Sequence, residues 1–238
     1  MAKKRTNKDS LYEDEFSTKD LAKNIVSKPI KVSGKNERQI DFIKLISDNE
    51  IIICSGAAGT GKSYLSVSQA LKLLLSGDNK FNKIWLSRPV IETGKSMGFL
   101  PGTMEEKLLP YIQPLLDNID KIIGESARVR LMEAKVIEFS PLAFIRGKTI
   151  DNAIVIMDEA QNATPSEMKA LLTRIGEDAK FIISGDIDQS DLFKNVEDSG
   201  LFDMLNKLKD LDGIALFEFR ECDIVRNPII SEILKRYK

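Results

Sequence analysis

The chain has 238 residues, 42% of them hydrophobic, and its 35 basic and 36 acidic side chains leave a net charge of −1. That balance excludes a globally basic nucleic-acid binder, so any such contact is expected to use a local patch. The absence of histidine excludes a Ser-His-Asp triad, histidine acid–base catalysis and the usual histidine-containing zinc sites, leaving carboxylates, Lys, Arg and a hard metal for chemistry. The apolar runs fall short of a membrane span, and no apolar stretch follows the basic residues 1–8, so neither an anchor nor a secretory signal is expected. Cys54 and Cys222 show no metal spacing and fit a reducing compartment.

Residues 1–34 read as an arm rather than core. They carry Lys3, Lys4, Arg5 and Lys8, then Glu13-Asp14-Glu15, then Pro29 and Gly34. A solvated, partly disordered tail is one reading, and a segment docking on a neighbouring subunit is the other. A single domain is expected over 35–238. Its first helix is predicted at 36–46, with Ile40, Ile43 and Leu45 or Ile46 as the apolar side and Gln39 upstream of the motif that follows.

That motif organises the chain. Ile51, Ile52 and Ile53 form a β-branched strand, Gly56-Ala57-Ala58-Gly59-Thr60-Gly61-Lys62-Ser63 has the spacing of a Walker A loop, and 64–75, beginning at Tyr64, read as a helix. Glycines at such a turn let backbone N–H groups converge on phosphate oxygens, and the helix N-terminus adds unpaired donors. The stretch predicts a nucleoside triphosphate site, with Lys62 on the β- and γ-phosphates and the Ser63 hydroxyl on Mg²⁺.

A second strand is predicted at 83–86, ending in Ser87-Arg88-Pro89, followed by a glycine-rich loop to 102. A helix at 103–123 is expected to break or bend near Pro110 and Pro114. Residues of about 88–130 thus read as an insertion whose Arg88, Lys95, Lys107, Arg128 and Arg130 offer a cationic surface, or simply solvated charge among Glu92, Glu105 and Glu106. Trp85, Phe99 and Tyr111 are the few aromatic stacking candidates.

Short strands are expected at 136–139 and 153–157. The second delivers Asp158 and Glu159 at its C-terminal end, a Walker B arrangement in which Asp158 holds Mg²⁺ and Glu159 polarises the attacking water. Thr164-Pro165-Ser166-Glu167 fits a capping box opening a helix that Gly176 ends, with Arg174 in its last turn facing either solvent or phosphate. A strand at 181–184 releases Asp186 and Gln189, candidate sensors of the γ-phosphate or members of a plain turn. A helix at 195–209, a strand at 214–219 and a helix at 229–237 complete the prediction.

With these motifs in order, residues from about 36 to 238 resemble the PhoH-like family of P-loop ATPases, relatives of superfamily 1 helicases. The likeness rests on the Walker A run, Ser87-Arg88-Pro89, Gly98 to Gly102 with Glu106-Lys107, and Arg146-Gly147. It continues in Asp158 to Asn162, Thr173 to Gly176, Gly185-Asp186 with Gln189, Asp191 and Leu192, and Asp223 to Pro228. Where that last motif usually has histidine, this chain has Asn227.

The resemblance implies an α/β fold of RecA-like type, a mostly parallel sheet between helices, using ATP and Mg²⁺ in the cytoplasm. In helicase-like ATPases a glutamine placed as Gln39 reads adenine, although a lone surface glutamine is an equal reading. Such helicases complete the site with arginines from a second RecA-like domain. The expectation here is a homo-oligomer, a ring such as a hexamer, with an arginine finger in trans from Arg226, then Arg146 or Arg174. RNA or another single-stranded nucleic acid is the expected partner, and an ATP-gated assembly module is the alternative. A nuclease with an acidic metal cluster ranks below both, because ATP already needs Asp158 and Glu159.

Overall fold

The computed structural model describes residues 18–76, 80–90, 104–145, 147–225 and Arg236. Six strands form one parallel sheet: β1 Ile51–Gly56, β2 Lys83–Ser87, β3 Ile137–Phe139, β4 Ala153–Met157, β5 Lys180–Gly185 and β6 Ile214–Phe219, in the order β3-β2-β4-β5-β1-β6. The helices are α1 Thr18–Ile25, α2 Glu37–Asp48, α3 Lys62–Leu74, α4 Met104–Ile123, α5 Glu125–Glu133, α6 Leu142–Ile145, α7 Pro165–Leu172 and α8 Gly200–Lys207.

Successive strand residues face opposite sides of a sheet, and a parallel sheet is covered on both. Ile52, Cys54, Ile154, Ile156 and Ile182 therefore meet Phe42, Ile46, Leu65, Leu71, Leu115 and Ile119 of α2, α3 and α4. Ile51, Ile53, Val155, Met157, Phe181 and Ile183 meet Leu142, Ile145, Met168, Leu171, Leu201 and Met204 of α6, α7 and α8. This double burial explains why β1, β4 and β5 are continuous apolar runs. Among the described residues no helix is long and apolar enough to cross a membrane.

Several elements differ from the sequence prediction. From residue 18 onward the supposed arm is part of the body: Ala22 is fully buried, and Ile25, Val26, Ile30 and Val32 pack on the first cluster. Helix α4 runs unbroken through Pro110 and Pro114. Both prolines are exposed, so water can replace the N–H partners that they remove. Helix α7 stops at Leu172 because the chain then pairs with Ile150, which donates to Arg174 O at 2.8 Å and accepts from Gly176 N at 2.9 Å.

The predicted helix at 195–209 is a 3₁₀ turn, Val196–Asp198, followed by α8. Ser199 is extended between them, and Gly200 N donates to Ala163 O at 2.7 Å. A Cβ at Gly200 would lie 2.5 Å from Met168 Cγ, so close helix packing decides the break. The predicted helix at 229–237 lies outside the described residues except for Arg236.

Candidate functional site

The parallel register brings the C-terminal ends of β1, β4 and β5 together. Cys54 sits opposite Ser184, Ser55 opposite Gly185, and Met157 opposite Ile183. Open α/β sheets bind ligands outside these ends. Here a cavity of about 590 Å³ is lined by the loop from β1 to α3, by Asp158 and Glu159 after β4, and by Gly185, Asp186 and Gln189 at the end of β5 and beyond it.

The β1–α3 loop is shaped by glycine. Gly56, Gly59 and Gly61 have φ of 143°, 92° and 95°, values that side chains disfavour. A Cβ at Gly56 would also lie 2.6 Å from Phe219 O. Lys62 is 8% exposed, and its ammonium donates to Gly56 O and to Ala57 O, the latter at 3.0 Å. Thr60 Oγ1 donates to Ala57 O at 2.9 Å, while Ala58 N donates to Asp186 Oδ2 at 3.1 Å. Tyr64 lines the cavity and is 44% exposed.

Gln39 is 4% exposed, which rules out the surface-glutamine reading. Its Nε2 donates to Thr60 O at 2.8 Å and its Oε1 accepts from Lys35 N at 2.7 Å. The side chain ties the P-loop to the segment before α2, and it also lines the cavity.

Across the loop, Ser63 Oγ donates to the Asp158 carboxylate, 3.0 Å from Oδ1 and 3.1 Å from Oδ2, and Ser184 Oγ donates to Oδ1 at 2.9 Å. Asp158 is 4% exposed. Burial pushes its pKa above the ordinary carboxylate value, with help from the neighbouring Glu159, against the pull of the Ser184 and Ser63 hydroxyls and Arg88. Burial likewise raises Asp186, opposed by the N–H groups of Asp188 and Ala58 and by Lys62.

Glu159 has left-handed backbone, φ 57° and ψ 37°. Its Oε1 pairs with Arg88 Nη2 at 3.0 Å, and its Oε2 accepts from Gln161 Nε2 at 2.6 Å. Gln161 joins the neighbouring strand ends: Nε2 also donates to Gln189 O at 3.2 Å, and Oε1 accepts from Asp186 N at 3.1 Å.

The family model described as PhoH-like protein matches residues 31–238 of this chain. The chain belongs to the PhoH-like family. A PhoH-like protein of Bacillus subtilis (strain 168) is 43% identical over 229 residues, covering 96% of this chain and 69% of its own length. A second from Synechocystis sp. is 41% identical over 207 residues, covering 87% of this chain and 62% of its own. The chain thus spans roughly two thirds of the length of these relatives. Among solved structures, the ATPase domain of a Thermus phage large terminase aligns over 90% of both chains with a TM-score of 0.48 and 13% identity.

In this PhoH-like chain the structure gathers Gln39, the loop from Ala58 to Tyr64, Asp158, Glu159, Asp186 and Gln189 around one cavity. Thr60 is fully buried beneath it. Arg174 is not among them: its carbonyl pairs with Ile150, ahead of β4 and so at the N-terminal end of the strands, away from the cavity, which overturns its phosphate-facing reading within the chain. Arg146 and Arg226 lie outside the described residues. Of the predicted cationic surface, Arg88 pairs with Glu159 and Arg128 pairs with Asp120 at 2.6 Å, while Arg130 is exposed. Lys95 is outside the described residues.

Sequence reasoning did not single out Gln161, Ser184 or Arg88 as partners of the two carboxylates. Nor did it find Ser33, Lys35, Asn118 and Lys121, which also line the cavity. The Gln in Asp158 to Asn162 and the Arg in Ser87-Arg88-Pro89 were the available signals.

Proposed function

We propose that this PhoH-like chain hydrolyses ATP to ADP and phosphate in the cavity above β1, β4 and β5, coupled to RNA or another single-stranded nucleic acid. The observation that carries the reading is the Ser63 hydroxyl lying 3.0 Å from the Asp158 carboxylate, with Glu159 beside it. Two oxygens in neighbouring positions of an octahedron with Mg²⁺–O bonds of about 2.0–2.1 Å lie ~2.9 Å apart, so this pair fits a hard cation. Bound there, Mg²⁺ would neutralise developing charge on the phosphates.

The chain's own residues supply the rest. Lys62 and the P-loop amides hold the β- and γ-phosphates, exchanging the ammonium's contacts with Gly56 O and Ala57 O for phosphate oxygens. Glu159 orients the attacking water, and Gln189, at the cavity wall, reports the γ-phosphate. Gln39 reaches adenine by giving up Thr60 O or Lys35 N. Positioning and electrostatics account for most of the catalysis. A homo-oligomeric ring completes the site in trans through Arg226, Arg146 or the outlying Arg174, and such a finger is worth about 10³–10⁵ in rate.

The coupled partner has a second reading. Arg88 and Arg128 are held in ion pairs, which thins the basic surface and favours an ATP-gated assembly module. Steady-state hydrolysis with and without single-stranded RNA, combined with sedimentation in ATP and ADP, separates the two. Stimulation by RNA, with binding that weakens steeply with salt, supports nucleic-acid coupling. Indifference to RNA, together with an oligomer whose size follows the nucleotide, supports assembly.

A further inference from the structure

The Glu159 carboxylate is held from two sides, by Arg88 from the neighbouring strand and by Gln161 of the 3₁₀ turn Ala160–Asn162 that Glu159 caps. Arg88, at the end of β2, bonds Oε1 at 3.0 Å, and its other terminal nitrogen donates to Tyr111 O of α4 at 2.9 Å. Gln161 bonds Oε2 at 2.6 Å. The guanidinium therefore bridges α4 and the acid, a span that its planar fork suits and a single ammonium does not. The backbone beneath is in the left-handed region that side chains rarely adopt. An ionised carboxylate has about four acceptor positions. Two are occupied by Arg88 and Gln161, and the remaining lone pairs are aimed by those bonds.

We propose that Arg88 is a positioning residue for hydrolysis: anchored on α4, it sets the orientation in which Glu159 meets the attacking water. The proposal rests on the reading of Glu159 as the water-orienting group. It assigns Arg88 to the inside of the site rather than to a nucleic-acid surface. It also makes the seating of α4 against β2 a determinant of turnover.

The test is a double-mutant cycle between Arg88 and Glu159, read as kcat and KM for ATP, with the Kd of a fluorescent ATP analogue measured separately. Arg88→Ala should lower kcat at least tenfold while KM and the analogue Kd stay within about twofold. Arg88→Lys, which keeps the charge but cannot bridge both acceptors, should fall between Arg88→Ala and the wild type. In a Glu159→Gln background, Arg88→Ala should change kcat by less than about twofold, because residues acting as one unit are not additive.

Wild-type kcat in Arg88→Ala, multiplication of the two losses in the double variant, or a loss confined to KM and Kd would overturn the proposal while leaving the ATPase reading intact. Unchanged turnover in Glu159→Gln would instead overturn the assignment of Glu159, and the proposal with it. If Arg88→Ala does not fold, the Arg88→Lys arm of the same cycle decides.

Discussion

Asp158 lies buried behind the P-loop with hydroxyl donors from Ser63 and Ser184 and, among the described residues, no directly bonded cationic group. Burial raises its folded-state pKa above the unfolded value, so the folded chain binds its proton more readily than the unfolded chain does. Stability associated with this group is therefore lost as pH rises through the window above the ordinary carboxylate pKa, and it is regained on acidification. Asp158→Asn keeps the acceptor and removes the charge. It should raise the melting temperature at neutral pH by ~2–4 °C for each kcal/mol of relief, with the gain shrinking as pH falls, and it should abolish Mg²⁺-dependent hydrolysis. Thermal melts at two pH values and a phosphate-release assay check both halves.

Gln39 offers a second test at the same scale. Gln39→Ala removes the partner of a P-loop carbonyl and of the Lys35 amide, and unpaired buried groups cost about 1–3 kcal/mol. A lower melting temperature and a raised KM for ATP and GTP alike are expected if the amide serves the loop, whereas a rise for ATP alone marks an adenine reader. The meeting of the P-loop with Asp158 and Glu159 at one cavity was legible because the spacing within each motif is local. Arg88, Gln161 and Ser184 were not, since the contact from Ser184 to Asp158 spans 26 positions and that from Arg88 to Glu159 depends on neighbouring strand ends.

At the scale of elements, strands were easier to read than helix ends. The β1, β4 and β5 runs declare double burial in their composition, and the β2 and β6 segments were also found. Helix ends depend on what the neighbouring chain does: the pairing with Ile150 ends α7, and contact between Gly200 and Met168 divides the segment before α8. The start of α7 is the exception, because its signal lies within four residues. Thr164 Oγ1 accepts from Glu167 N at 3.2 Å, and Glu167 Oε2 accepts from Thr164 N at 2.9 Å. Thr164→Ala should cost ~1 kcal/mol and lower the melting temperature by about 2–4 °C. Turnover per folded molecule should stay unchanged, since α7 does not line the cavity.

For the molecule as a whole, the segment ahead of α2 changes most between sequence and structure. Read as an arm, it is polar and punctuated by Pro29 and Gly34, yet Ala22 sits in the core and Ser33 and Lys35 form part of the cavity wall. Leu21, Ala22, Ile25 and Val26 do recur at helical spacing, but the stripe spans only about two turns among charged residues, and tertiary packing decides that Ala22, Ile25 and Val26 are covered. The sheet then unites that wall, the P-loop and the carboxylates around a single volume. The most direct measurement is Mg²⁺-dependent phosphate release from ATP by the wild-type chain and by Lys62→Ala at matched concentration. The wild type should turn over ATP and the variant at least a hundredfold less, with its melting temperature without nucleotide close to that of the wild type. Equal rates from the two folded proteins would contradict the assignment of the P-loop as the site of hydrolysis.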